Sequence, residues 1–347
     1  MTDGLTEALR QQFPHGIMLR ASVALVEGEN AELVVLGERG FQVGGADAAL
    51  RDWAGGLVAG IRWNRFEPTG LRMALLSEFA ARDMLAPLPA SEETDQYTKQ
   101  RLWFAQVAEE PDAAAERIAG HRAVILGCGG LGSLVAVHLA AMGVGKLLLI
   151  DHDAVEITNF NRQFTYRRSD LGRPKVNALA DFLADRYPDT EIDTVSATVG
   201  EGTLETVAAP LVENSGPGGW TLFCCADRPV GTLSAVVAAF ARTHGGAAVF
   251  AAAGLEEAAV GPVLNAADDV GHRLFTQEMD ELGAVARATL GDPIMSASIA
   301  PVNTMAATGM VSEWLNGVVL RRQTRARSSR YVMNLKDTQV HEERTWS

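Results

Sequence analysis

"HRAVILGCGGLGSLVAVHLAAMGVGKLLLIDHD", residues 121–153, decides the fold class. An apolar run, a glycine turn, an apolar stretch of helical length, a second glycine turn and another apolar run make a strand–helix–strand unit, whose two strands lie parallel. Gly127, Gly129 and Gly132 have the G-x-G-x-x-G spacing between the first strand and the helix. Such a loop lets backbone amides and the helix N-terminus approach a phosphate group. Taken alone it makes a nicotinamide- or flavin-dependent enzyme the default, with Asp151 gripping a ribose at the end of the second strand.

Downstream the alternation continues. "KVNALADFLADRYP" (175–188) reads as a helix, "EIDTVSA" (191–197) and "GWTLFCCAD" (219–227) as strands, "VGTLSAVVAAFARTHG" (230–245) as a helix and "AAVFAAAG" (247–254) as a strand. That order predicts an α/β fold, a Rossmann-like and mostly parallel sheet with helices on both faces. Residues 255–297 lack a period and are expected to be loops, with helical pieces between Asp268 and Arg287. "SIAPVNTMAATGMVSEWLNG" (298–317) is expected to be a helix capped by Gly317, and "RYVMNL" (330–335) an edge strand. The basic stretch 321–330 reads as a solvated face rather than a site.

Upstream, "IMLRASVALVEGENAELVVLGERGFQV" (17–43) holds three short β-rich runs, the pattern of a small antiparallel sheet. "DAALRDWAGGLVAG" (47–60) places Leu50, Trp53, Leu57 and Val58 at helical spacing, and "GLRMALLSEFAARDML" (70–85) is a second amphipathic segment. Residues 15–88 thus form a winged-helix-like α+β unit. "APLPASEETD" (86–95) reads as a linker and "DQYTKQRLWFAQVAEEPDAAAERIAG" (95–120) as helices, which predicts domains at 1–90 and 91–347.

Composition narrows the function. With 30 Lys and Arg against 43 Asp and Glu the net charge is -13, the wrong sign for gripping a nucleic-acid backbone. The three cysteines, Cys128, Cys224 and Cys225, build neither a disulfide framework nor a CxxC zinc site, and Cys224 and Cys225 fall in an apolar strand as core. "MTDGLTEALRQQFP" lacks the pattern of a signal peptide, and no apolar run approaches the ~18 residues of a membrane span, so a cytoplasmic protein is expected.

"IDHDAVEITNFNRQFTYRRSDLGRPKV" (150–176) crowds Asp151, Asp153, Asn159, Asn161, Arg162, Gln163, Arg173 and Lys175 into one span. A dinucleotide pyrophosphate is already served by the helix N-terminus, whereas a triphosphate attacked at its α-phosphate needs Arg and Lys both to bind it and to stabilise developing charge. Asp227, ending the strand "TLFCCAD", lies at the carboxyl edge of the sheet. It is either a ligand holding Mg2+ against the phosphates or the N-cap of the next helix.

"GCGGLGS", "IDHDAVEITNFNRQ", "GRPKV" and "CAD" together resemble the adenylation domain of the ubiquitin-activating-enzyme superfamily, with its ThiF- and MoeB-type adenylyltransferases, over residues 94–320. The resemblance implies an ATP- and Mg2+-dependent enzyme that converts a carboxylate, usually at a peptide C-terminus, into an acyl adenylate. It implies that Gly127, Gly129, Gly130 and Gly132 line the nucleotide and that Asp151, with Asp153 beside it, serves the ribose end. Asn159, Arg162, Gln163 and Lys175 then contact phosphate, and Asp227 positions Mg2+. "QYTKQRLW" (96–103) stands where the family has an Arg-bearing helix reaching into its partner's site; the corresponding residue is Lys99, followed by Arg101, and Lys cannot copy a bidentate Arg. A homodimer is implied.

Two departures matter. Many members carry paired CxxC motifs for zinc or a catalytic cysteine, and residues 228–347 contain no cysteine, so neither structural zinc nor a covalent thioester or persulfide relay is expected. The extra N-terminal unit is similar to the peptide-clamp, or precursor-recognition, domain of enzymes that modify microcin C-type and pantocin-type ribosomal peptides. Such a domain binds a leader peptide as an added strand. The expected partner is therefore a precursor peptide, with no nucleic acid and no membrane.

Overall fold

The computed structural model describes residues 2–29, 32–67, 69–213, 215, 219–290, 297–337 and 339–346. The chain divides into two units, Met1–Ala115 and Glu116–Ser347.

The first unit runs α1 (Thr2–Gln12), β1 (Ile17–Leu19), β2 (Ala24–Glu27), β3 (Leu33–Leu36), β4 (Phe41–Val43), α2 (Ala48–Ala59), α3 (Gly70–Ala81), β5 (Leu85–Pro87) and α4 (Thr98–Val107), and ends within α5 (Pro111–Ala119). Asp47 starts α2 by accepting the Leu50 N–H at 2.7 Å, and Thr69 starts α3 in the same way through Arg72. Leu50, Trp53 and Leu57 are buried with Leu76 and Phe79, giving a small winged-helix-like α+β core. Val58 departs from the expected stripe and is 56% exposed, since a residue adjacent to Leu57 points about 100° away around the helix. Two sheets replace the single one expected: β2, β3 and β4 form an antiparallel meander, while β1 pairs with β5. The partner of β1 lies more than sixty residues downstream, where local pattern carries no signal. The stretch 86–95 is not a free linker. Ala86 and Leu88 are buried, and Arg62 bonds the Ser91 carbonyl and pairs with Glu92.

The second unit contains β6 (Arg122–Leu126), α6 (Gly132–Ala141), β7 (Lys146–Ile150), α7 (Lys175–Arg186), β8 (Glu191–Val195), α8 (Glu201–Val212), β9 (Trp220–Cys224), α9 (Thr232–Thr243), β10 (Ala247–Ala253), β11 (Glu257–Asn265), α10 (Asp269–Ala288), α11 (Ala300–Trp314), β12 (Ser329–Asn334) and β13 (Val340–Thr345). One sheet of order β13-β12-β11-β10-β9-β6-β7-β8 holds all eight strands; the five from β10 to β8 are parallel and β11, β12 and β13 add on antiparallel. The inner parallel strands β6, β7 and β9 are apolar on both faces because helices cover both, whereas β8 at the edge, EIDTV, is mostly polar and exposed. Val124, Leu126, Leu222 and Phe250 pack with α8, α9 and α10. On the other face α11 packs with α6, and Trp314 of α11 meets the Phe223 ring at 6.0 Å.

Three C-terminal expectations are corrected. Residues 257–265 are a strand rather than a loop, and α10 is a continuous helix; residues 291–296 of that region lie outside the described residues. Gly317 does not cap α11, which runs on into a π-helical turn at Leu315–Val319. β12 is not the edge, because β13, wholly exposed and mostly polar, covers it. No helix among the described residues is long and apolar enough to cross a membrane.

Candidate functional site

Strand order places the site before any side chain does. From β6 the chain steps to β7 and β8, then returns past β6 to β9 and β10, so the helices following β6 and β9 leave on opposite faces. A crevice opens at the carboxyl ends of those two strands, the point where open α/β sheets bind ligands.

The glycine loop turns in this crevice. Gly127 has φ +91° and donates to the Ile150 carbonyl at 2.8 Å, and a Cβ there would stand 2.9 Å from the Cys225 carbonyl oxygen and the Ala226 nitrogen. A Cβ on Gly132 would lie 1.8 Å from the Gly127 oxygen, so α6 can start this close to the loop only without a side chain. A Cβ on Gly130 would press to 2.5 Å on Asn303 Oδ1 and 3.1 Å on Arg162 Cγ. Gly129 differs: a Cβ would meet nothing nearer than Gln163 Nε2 at 3.9 Å, and its φ lies outside the left-handed region. Three glycines are demanded by the protein's own packing. At the fourth the protein leaves room.

Asp151 underpins the loop. Its buried carboxylate accepts the Cys128 N–H at 2.6 Å through Oδ2 and the Asp153 N–H at 2.8 Å through Oδ1, each oxygen keeping a further lone pair. Tyr166, also buried, donates its hydroxyl to the Cys128 carbonyl at 2.6 Å. Burial, and then the Asp151 charge, push the Cys128 thiol well up, with Lys175 opposing.

Lys175 opens α7 and is buried, its Nζ 2.7 Å from Asp153 Oδ2. Burial works against the Asp153 carboxylate, but the hydrogen bond and charge of Lys175, helped by His152, hold its pKa below the ordinary value. Arg162 is half-buried and donates Nη1 to the Thr158 carbonyl at 2.9 Å and to Asn161 Oδ1 at 2.8 Å. Asn159 is buried and builds the turn: its Oδ1 accepts the Glu156 N–H at 2.9 Å and its carbonyl accepts from Arg162 and Gln163. Gln163 is buried with Oε1 unpaired among the described residues. Arg173 is held by Asp170 and Asp181.

Asp227 follows β9 in the crevice, one residue beyond the backbone that touches Gly127, and is exposed. It caps no helix, since α9 begins behind Gly231. An exposed carboxylate oxygen at this place suits a hard divalent cation such as Mg2+. Lys99 and Arg101 sit on α4 in the first unit; Lys99 is exposed, while Arg101 bonds Asp95 at 2.9 Å and the Glu93 carbonyl at 2.7 Å. Burial pushes the Cys224 thiol to about 12 and Cys225 well up, so neither offers a thiolate near neutral pH.

Sequence reasoning passed over two residues. Tyr166 carries no local signal. Asn303 on α11 had one, being an amide in a buried, otherwise apolar stretch, and its Nδ2 donates to Ser298 Oγ at 2.9 Å and the Ile299 carbonyl at 2.8 Å.

Known proteins share this architecture. E. coli MccB, in a structure with MccA-N7isoASN, aligns with a TM-score of 0.67 at 18% identity, covering 95% of this chain and 97% of that one. PaaA aligns with a TM-score of 0.62 at 22% identity over 78% of this chain and 91% of its own. At such identities the likeness speaks for the fold. In sequence, 93 residues are 38% identical to the SAMP-activating enzyme E1 of Haloferax volcanii, and 90 residues are 40% identical to the tRNA threonylcarbamoyladenosine dehydratase of Bacillus subtilis. The matched stretch spans 34% and 35% of those two relatives, about a third of each. The ThiF family model matches residues 97–345, well over half of the chain, which therefore belongs to the ThiF family.

Proposed function

We propose that the protein is an ATP- and Mg2+-dependent adenylyltransferase that activates a carboxylate of a ribosomally made precursor peptide, either its C-terminus or a Glu or Asp side chain. The observation that carries the nucleotide site is Gly129. Neither its φ nor its neighbours require a glycine, yet it sits on the loop before the N-terminus of α6, where a phosphate would approach the backbone. The peptide substrate is supported by the likeness to MccB along nearly the whole chain, since MccB has been solved with N-formylated MccA.

In the proposed step a carboxylate oxygen attacks the α-phosphorus, the bond from that phosphorus to the oxygen bridging to the β-phosphate breaks, and pyrophosphate leaves with the electron pair. The nucleophile belongs to the substrate. Arg162 and Lys175 hold the phosphates and meet the charge that grows on the leaving group. Asp151 and Asp153 form the ribose end, with Asn159 and Gln163 shaping the phosphate turn. Asp227 would hold Mg2+, which when bound neutralises phosphate charge. With no ionisable cysteine to receive it, the acyl group is captured inside the peptide by an amide nitrogen or a carbon nucleophile during maturation of a peptide antibiotic. That nucleophile loses a proton as the acyl–oxygen bond to AMP breaks, and AMP leaves with the electron pair. Residues 1–90 would bind the leader as an added strand. Residues 91–347 form the adenylation domain of a cytoplasmic homodimer, in which Lys99 enters the partner's site.

One rival draws on a specific observation. The matched stretch of the SAMP-activating enzyme fits equally a protein that activates the Gly-Gly C-terminus of a sulfur carrier. Incubation with ATP, Mg2+ and the peptide encoded beside the gene, read by mass spectrometry and pyrophosphate release, separates the two. A mass change on the peptide supports the proposal. Exchange driven only by a Gly-Gly carrier selects the rival, and bound nicotinamide with no exchange selects an oxidoreductase.

A further inference from the structure

The Arg162 guanidinium is tied to a second element through one side chain. Asn161 uses both ends of its amide: Oδ1 accepts from Arg162 Nη1 at 2.8 Å, and Nδ2 donates to the Ser298 carbonyl at 2.9 Å. Ser298 is gripped from the other side, because Asn303 Nδ2 donates to Ser298 Oγ at 2.9 Å and to the Ile299 carbonyl at 2.8 Å. Asn303 also closes the circuit. A Cβ on Gly130 would lie 2.5 Å from Asn303 Oδ1 and 3.1 Å from Arg162 Cγ, so the glycine loop, the arginine and the first turn of α11 meet at one glycine.

The bonds of Asn161 contribute little to folding alone. Asn161 is exposed, and an exposed amide loses little by bonding water instead. Asn303 is buried in a helix whose other buried positions are mostly apolar. What the pair achieves is orientation: the arginine's planar fork has a direction, and Asn161 ties that direction to Ser298, beside the bond from the same Nη1 to the Thr158 carbonyl at 2.9 Å.

We propose that Asn161 and Asn303 are positioning residues that clamp Ser298–Ile299 across the site and thereby hold Arg162 and the glycine loop in the geometry that accepts a triphosphate. The proposal rests on the adenylation reading, because it assigns Arg162 to phosphate. It extends that reading to two residues outside the loop and to the start of α11, so that the chain entering α11 controls nucleotide affinity.

The test is a double-mutant cycle read by calorimetry with Mg2+ and α,β-methylene-ATP, together with melting of the unliganded protein. Asn161→Ala is expected to weaken binding about tenfold, the scale of a lost hydrogen bond to a charged group, with the melting temperature held within about 3 °C. In an Arg162→Gln background the same change is expected to alter affinity less than twofold, because its effect travels through the guanidinium. Asn303→Ala is expected to weaken binding likewise, and the Asn161→Ala/Asn303→Ala double variant to lose no more than about the larger single loss. Equal losses with and without Arg162, fully additive losses for the two asparagines, or wild-type affinity in Asn161→Ala each overturn the clamp while leaving adenylation standing. Failure of the unaltered protein to bind the analogue removes the adenylation reading and the clamp together.

Discussion

Replacing Lys175 by methionine separates a catalytic ammonium from a structural one. The Lys175 side chain is 7% exposed, so its stem fills a slot that methionine also fills, while its partner Asp153 is 50% exposed and rehydrates once the ammonium is gone. A pair open to solvent on one side is worth at most about 1 kcal/mol, which corresponds to a fall in melting temperature of roughly 2–4 °C for a unit of this size. Removal of one preorganised donor from a developing charge costs about 2.7–4 kcal/mol of transition-state stabilisation, or 10²–10³ in rate. Lys175→Met is therefore expected to melt within a few degrees of the unaltered protein and to lose at least a hundredfold in pyrophosphate exchange with the peptide encoded beside the gene. The acid limb supplies a check. The folded Asp153 pKa lies below its ordinary 3.8, so Lys175 contributes stability above about pH 4, and that contribution is lost as pH falls through the folded value. The melting difference between the two proteins is expected to vanish there. Exchange within tenfold of the unaltered protein refutes the catalytic assignment, and a fall of more than about 10 °C makes Lys175 a folding residue.

Three further outcomes follow from the same geometry. Gly129→Ala, whose Cβ would make only an ordinary contact with Gln163 at 3.9 Å, is expected to keep the melting temperature while nucleotide affinity drops at least tenfold; Gly132→Ala, whose Cβ meets the Gly127 oxygen, is expected to lose both, as differential scanning fluorimetry with and without ATP will show. Asp227→Asn is expected to weaken the dependence of exchange on Mg2+ concentration without changing peptide binding, because this exposed carboxylate supports no helix. His121 is buried against Thr221 and Trp314, and burial lowers its pKa from 6.5 to about 4. Its unfolded form alone takes a proton between those values, so stability is complete above about pH 6.5 and falls by up to ~3 kcal/mol as pH drops to 4; His121→Gln should flatten that slope in urea titrations.

The parallel half of the sheet was legible because strands buried on both faces are written as unbroken apolar runs, and Ala123–Leu126, Leu147–Ile150 and Thr221–Cys224 are buried along their length. β11 was not, because "EAAVGPVLN" carries Gly261-Pro262 at its centre, a pair that locally signals a turn. The sheet absorbs it as a bulge. Between Val249↔Val263 and Ala251↔Val260 the register slips by one residue at Gly261-Pro262, so the proline that cannot donate falls where the ladder is already interrupted. That accommodation depends on β10, and no window of nine residues contains it.

The site divides along the same line. Spacing identifies Gly127, Gly129 and Gly132 as one motif, but their neighbours give them different work: Gly127 turns against Cys225 and Ala226, and Gly132 admits α6 to the loop. Only Gly129 has room for a Cβ, with nothing nearer than Gln163 Nε2 at 3.9 Å, so only there does the absence of a side chain need a cause outside the protein. Asn161 shows the converse. In sequence it is one more polar residue in a charged span, and its role is set by Ser298, 137 positions away, which meets it only after α11 has packed on the sheet beside α6. The phosphate-binding chemistry proposed for the site is thus written locally in the loop and the charged turn that follows it. Arg162 is held locally by Thr158 and Asn161, and what ties that turn to α11 is the Asn161–Ser298 bond, which exists only once the sheet has closed.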